Sequence, residues 1–175
     1  MEFSKLIERR RSIRAYAEPA TKEDIEAILT MAQQAPSWKN CQSARCYAVT
    51  DKEKLAEVLE KGLPKFNADK CENASVIVTT FVRNQSGWAD DGPANKAGNY
   101  WGAYDLGLHD AYLILAATDL GFDTLIMGIR EADALREALD IPDSEEIMSV
   151  IAVGKRNQQP GLRPRKALSE VTKFF

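Results

Sequence analysis

The segment from Ala103 to Leu120 is apolar almost all the way round a helix between Ala111 and Ala117. A surface helix carries one apolar stripe. One without a polar face has to be covered on several sides, within the core or between subunits. Asp105, His109, Asp110 and Asp119 interrupt the run, so it is too short and too polar to span a bilayer of roughly 20 helical residues. Gly121 caps it. The rest of the chain must be arranged around this long central helix.

The remaining elements are shorter. FSKLIERR opens the chain as a helix, with Phe3, Leu6, Ile7 and Arg10 on one face. In TKEDIEAILTMAQQAP, Thr21 and Asp24 sit at capping spacing, Ile25, Ile28, Leu29, Ala32 and Ala35 keep the helical rhythm, and Pro36 stops the helix. SWKNCQS reads as loop, ARCYAVTD as strand and KEKLAEVLEKG as an amphipathic helix ended by Gly62. SVIVTTFV is apolar enough for a strand covered on both faces. A Gly-, Asn- and Asp-rich stretch from Arg83 to Gly102 is the longest irregular region. After the central helix come TLIMGI as strand, EADALREALDI as helix, IMSVIAVG as strand and an extended basic tail with a final helical turn. Helices and strands do not alternate regularly from a first strand, which disfavours a doubly wound sheet. The expected fold is α+β: a small, mostly antiparallel sheet flanked by helices, in one domain over residues 1–175.

Bulk composition narrows the function classes. The 23 basic and 26 acidic residues leave a net charge of −3, whereas a nucleic-acid binder is more often basic. Cys41, Cys46 and Cys71 match no zinc spacing, and with one histidine a Cys/His metal site is not expected. Reduced thiols suit a cytoplasmic protein. The opening MEFSKLIERR lacks the apolar core of a signal peptide, and no membrane association is expected.

Against that acidic balance, RRRSIRAY gathers four arginines, Arg9, Arg10, Arg11 and Arg14, around Ser12. Placed at a helix end, Arg10 and Arg14 lie one turn apart, and Ser12 offers a hydroxyl as the chain leaves the helix. The tail repeats the theme with Arg163 and Arg165, which alternation in an extended segment points to one side. Guanidinium forks suit phosphate, so the two clusters can meet around one anion; solvated charged faces are the plainer reading. In APSWKNCQS, Ser37, Asn40 and Gln42 follow Pro36 and present groups able to match a heterocycle edge, or form an ordinary polar turn. Asn67 and Lys70 share one face of a short helix in NADKCENAS, suiting a ring edge that gains negative charge, or merely a solvated face. GFDTLIMGI ends on Met127 and Gly128, where backbone can approach a flat ligand, or simply turn. Walker, G-x-S-x-G and strand-linked G-x-G-x-x-G motifs are absent.

Together, in this order, RRRSIRAY, APSWKNCQS, NADKCENAS, AYLILAATDLGFDTLIMG, VIAVGKR and RPRKALSEV resemble the FMN-dependent nitroreductase family over nearly the whole chain. The resemblance implies a homodimer with two FMN sites at the subunit interface, the central helix lying there. Arg10, Arg11 and Ser12 with Arg163 and Arg165 then correspond to phosphate and ribityl contacts. Arg14 and Lys70 correspond to cations near flavin N1 and O2, and Asn67 to a pyrimidine-edge partner. Pro36, Ser37, Asn40 and Gln42 correspond to the other subunit's contribution, and Met127 and Gly128 to backbone beside N5. The implied reaction is a ping-pong hydride transfer from NADH or NADPH, through the flavin, to nitro compounds or quinone-like small-molecule acceptors. No side-chain catalyst or metal is expected, since the chemistry belongs to the cofactor. An FMN-binding sensor or storage protein shares every one of these motifs.

Two departures stand out. The family usually continues the second cluster as Gln-Pro-Trp, where this chain has Gln42, Ser43 and Ala44. The stretch before the central helix, which usually helps roof the flavin, is abbreviated, leaving Trp88, Tyr100 or Trp101 for that task.

Overall fold

The computed structural model describes residues 2–175. In chain order it contains α1 (Phe3–Arg9), β1 (Tyr16–Pro19), α2 (Lys22–Ala32), β2 (Ala44–Val49), α3 (Lys52–Gly62), α4 (Lys65–Ala68) and β3 (Ser75–Val82). There follow β4 (Trp88–Ala89), β5 (Gly92–Pro93), α5 (Tyr100–Asp119), β6 (Asp123–Met127), α6 (Ala132–Ala138), β7 (Glu145–Arg156) and α7 (Leu168–Val171). The fold is α+β, as expected, with a five-stranded sheet and a separate two-stranded ribbon of β4 and β5.

β7 organises the sheet. Val150 faces Val78 of β3 on one edge and Met127 of β6 on the other, both antiparallel. β2 pairs with the far edge of β3. Gly154 faces Asp123 and Pro19, so β1 continues the β3 edge of β7 where β3 begins. On the outer edge of β6, Ser12 makes a parallel bridge to Thr124.

Successive strand residues point to opposite faces. Val76, Val78, Val150 and Ala152 therefore meet Val58 of α3 and Leu135 of α6 on one side. Ile77, Ile151 and Val153 meet Ile25, Ile28 and Ala32 of α2 and Leu113, Ala116 and Ala117 of α5 on the other. SVIVTTFV is covered on both faces because helices lie on each side, with only Val82 half-buried. α5 ends in a Schellman motif. Gly121 has φ +88°, its N–H reaches the Thr118 carbonyl at 3.2 Å, and Phe122 N–H reaches that of Ala117 at 2.8 Å.

Several expectations need correction. α1 stops at Arg9, and Arg10 already has φ −58° and ψ 127°. Arg10 and Arg14 are therefore not one helical turn apart. The chain runs extended because Ile13 is fully buried and its N–H bonds Thr124 O at 3.0 Å. Helix α2 ends at Ala32 rather than at Pro36, with separate turns carrying Gln34 and Ala35 onward. α5 begins three residues before Ala103, at Tyr100. β1, four residues including Pro19, was not foreseen. Tyr104 and Tyr112 of the central helix are exposed in the single chain, so cover on that side has to come from outside it.

Candidate functional site

The extended path after α1 places Arg10, Ser12 and Arg14 at alternate positions, hence on one side. The tail returns to them. Arg10, Arg11, Ser12 and Arg14 line a cleft of about 640 Å³ with Pro160, Gly161, Leu162, Arg163, Pro164 and Arg165. The two basic clusters at opposite ends of the chain thus meet. None of these five guanidinium groups pairs with a carboxylate among the described residues. Their recorded bonds go to backbone: Arg11 to Arg10 O at 2.7 Å, Arg14 to Ser12 O at 3.3 Å and Arg165 to Arg163 O at 3.4 Å. Burial, then the charges of Arg11 and Arg165, hold Arg10 below the ordinary arginine value. A cleft of unneutralised, mutually repelling cations has the charge and the donor geometry that suit a phosphate-sized anion.

β6 links this cleft to a second set of residues. Ser12 bridges Thr124 near the start of β6, and β6 runs from there to Met127. Gly128 lies four residues beyond Thr124, about 13 Å at roughly 3.3 Å per residue. The Met127 side chain is buried, so only its backbone is available there. A Cβ built on Gly128 meets nothing within 4 Å, so the strand end is open on that flank. The next residue, Ile129, is clamped by Asn67, whose Nδ2 donates to Ile129 O at 2.9 Å. Lys70 Nζ donates to Asn67 Oδ1 at 3.0 Å and sits 5.0 Å above the Phe66 ring. Asn67 and Lys70 do share a face, and the buried amide spends both ends inside the protein.

Pro36, Ser37 and Gln42 lie elsewhere, in a cleft of about 410 Å³ that also includes Arg45, Asp105 and His109. One chain does not bring them to the arginines. Their loop is strained: Lys39, Asn40 and Gln42 have φ of 45°, 56° and 50°. Left-handed backbone costs about 1–2 kcal/mol per ordinary residue, so something must hold it. Ser37 Oγ accepts from Gln42 N–H at 3.0 Å, and Gln42 Nε2 donates to Asn40 Oδ1 at 3.3 Å. Trp38 packs on Trp101 of α5 with ring centroids 5.0 Å apart, and its N–H donates to Asp105 Oδ2 at 2.8 Å.

These last contacts escaped sequence reasoning. Asp105 registered only as an interruption in an apolar helix. Trp101, expected among the roofing aromatics, braces the loop through Trp38 and bonds Asn95 Oδ1 at 3.0 Å. It supplies an aromatic anchor where Gln42-Ser43-Ala44 replaces Gln-Pro-Trp. Tyr100 is exposed, and Trp88 is half-buried in the β4–β5 ribbon. His109 Nδ1 lies 3.5 Å from Asp110 Oδ1 at the cleft wall. All three cysteines are free thiols. Among the described residues no cluster of three or more His, Cys, Asp or Glu is placed to hold a metal ion, and no helix is long and apolar enough to cross a membrane.

The fold is a mixed α/β chain with an antiparallel sheet, a cationic cleft beside its edge strand and an open glycine at that strand's end. Comparison with known proteins gives this fold its family. The nitroreductase family model matches residues 7–155, and the chain belongs to that family. A protein of Archaeoglobus fulgidus, provisionally named NADH dehydrogenase/NAD(P)H nitroreductase, is 32% identical over 161 residues, covering 87% of this chain and 84% of its own. A provisionally named nitroreductase from Exiguobacterium sibiricum, solved in complex with FMN, superposes with a TM-score of 0.87. It is 23% identical and covers 100% of this chain and 98% of its own. A nitroreductase family protein from Streptococcus pneumoniae superposes at 0.86 with 19% identity, covering 99% of this chain and 100% of its own.

Proposed function

We propose that this protein binds FMN and acts as an NAD(P)H-dependent oxidoreductase on nitro compounds or quinone-like acceptors. The observation that carries the reading is the meeting of Arg10, Arg11 and Arg14 with Arg163 and Arg165 in one cleft without carboxylate partners. The residues present fit the group. The guanidinium forks match a terminal phosphate, Ser12 adds a hydroxyl, and the line along β6 leads from them to open space at Gly128. The A. fulgidus relative's name and the FMN bound in the E. sibiricum structure support the same assignment.

When bound, the flavin would supply the redox chemistry, hydride transfer between NADH or NADPH and the acceptor. The chain's own residues do the rest. Arg10, Arg11, Arg163 and Arg165 hold the phosphate; each charge-assisted hydrogen bond is worth about 1.5–3 kcal/mol, so several retain the cofactor without a covalent link. Arg14 and Lys70 would supply positive charge that favours the ring's electron-rich form. Asn67 fixes Ile129, and through it the backbone at Gly128. Pro36, Ser37, Asn40 and Gln42 act from a second copy of the chain, because one copy keeps Pro36, Ser37 and Gln42, with the loop that carries Asn40, away from the arginine cleft. The setting is cytoplasmic, where the thiols stay reduced.

An absorption spectrum of the freshly purified protein, followed by anaerobic addition of NADH or NADPH, tests this. Flavin bands that bleach on addition and return with a nitroaromatic support it. A colourless protein that takes up no FMN overturns it. A yellow protein indifferent to both nicotinamides points instead to a flavin-binding sensor or storage role.

A further inference from the structure

The Ser37–Gln42 loop is held from outside by one buried carboxylate. Asp105 is 5% exposed and, among the described residues, forms no ion pair. A buried carboxylate in that position needs donors. Its Oδ2 accepts from Trp38 N–H at 2.8 Å and from Ser86 Oγ at 2.7 Å. Ser86 reaches the loop a second time, with its Oγ 3.0 Å from Cys41 Sγ and 2.8 Å from Ser43 Oγ. Asp105 on α5 and Ser86 before β4 therefore bracket the segment that contains all three left-handed residues. Trp38 and Ser43 are its first and last anchor points, and the strained residues lie between them. Removing the carboxylate frees the Trp38 end directly and takes from Ser86, which holds Ser43 and Cys41, its own anchor.

We infer that Asp105 is a positioning residue: its carboxylate, with Ser86 as a second arm, holds the loop so that Ser37, Asn40 and Gln42 meet the flavin of the neighbouring subunit. This role rests on the proposed function. Asp105 itself touches loop and serine, not cofactor. A carboxylate suits the task because one oxygen takes two charge-assisted bonds, from a backbone N–H and a hydroxyl, that converge from different segments.

The test compares wild type with Asp105→Ala and Asp105→Asn, using FMN itself as the probe. Three quantities are read: the FMN dissociation constant by fluorescence titration, the visible circular dichroism of bound FMN, and the melting of the FMN-free protein. Asp105→Ala is expected to weaken FMN binding by about tenfold or more and to change the visible dichroism. Asp105→Asn keeps an oxygen able to accept both donors and is expected to recover to within about threefold. A carboxylate with a purely structural role lowers the melting temperature but leaves the folded protein's affinity and dichroism unchanged, and that result overturns the proposal. If Asp105→Ala does not fold, Ser86→Ala removes one arm alone; it should shift the dichroism in the same sense, and an unchanged signal again overturns the proposal. A wild-type chain that takes up no FMN removes the proposed function and this role together. One that binds FMN while Asp105→Ala binds as tightly removes only the role of Asp105.

Discussion

Arg10 is held below its ordinary basicity by burial and by two neighbouring cations, a cost with no return in the folded chain alone. That cost separates a ligand cluster from a structural one. Replacing Arg163 and Arg165 together by alanine should leave the melting temperature of the FMN-free protein unchanged or raise it, because repulsion is relieved. FMN affinity should move the other way, by about a hundredfold or more, given about 1.5–3 kcal/mol for each charge-assisted bond lost. Paired thermal melts and flavin titrations check both signs, and raised salt should shrink the difference. Burial acts on acidic groups as well. It pushes the Cys46 and Cys71 thiols up to about 12, and burial with the bond to Glu145 takes the Tyr47 phenol to about 12. The unfolded chain releases these protons near their ordinary values of 9.0 and 10.0, so between there and 12 the folded state binds more protons. Stability is therefore complete below about pH 9 and falls as pH rises towards 12. Urea midpoints should hold from about pH 7 to about pH 8.5 and be lower at about pH 10.5, with a smaller drop in Cys71→Ser.

Elements whose information is local were readable in advance. The Thr21–Asp24 box forms as spaced, with Asp24 N–H donating to Thr21 Oγ1 at 3.2 Å and Thr21 N–H to Asp24 Oδ2 at 2.9 Å. SVIVTTFV reads as a covered strand because every residue says so. β1 does not, since four residues ending in proline are strand only by virtue of β7, far along the chain. The arginine run favours helix by propensity, and the buried Ile13 and its bond to Thr124 override it. In the candidate site, clustered like charges announced themselves, whereas the Asp105 anchor depends on a contact spanning 67 positions. The seat of α5 was hidden in the same way. A Cβ at Gly102 would lie 2.2 Å from Phe81 Cδ2, so the helix crosses β3 by means of that glycine. Gly102→Ala should cost about 1–3 kcal/mol in urea unfolding. Adding Phe81→Leu should recover part of the loss, as expected of residues in direct contact.

At the scale of the molecule, one face is unfinished. Phe3, Leu6, Met31, Ala111, Tyr112 and Leu115 line an apolar groove of about 570 Å³ where α1, α2 and α5 converge. Phe3 is 67% exposed there and Tyr112 43%. A helix as apolar as α5 is not left half-covered at small cost. A two-fold axis lets the same patch cover itself on a second copy. It also answers a difficulty of the single chain, which holds the arginine cleft and the Ser37–Gln42 cleft apart. The protein should accordingly sediment at twice its 19.5 kDa chain mass. Tyr112→Glu sets a charge in the groove and should shift the species to monomer. If the loop serves the neighbouring subunit, FMN affinity falls in step with dimer content, by about tenfold or more in the monomer. Equilibrium sedimentation with flavin titration at matched concentrations decides it. A monomeric variant that binds FMN as tightly as the wild type would leave the loop with no part in the site, and the arginine cleft would have to hold the cofactor alone.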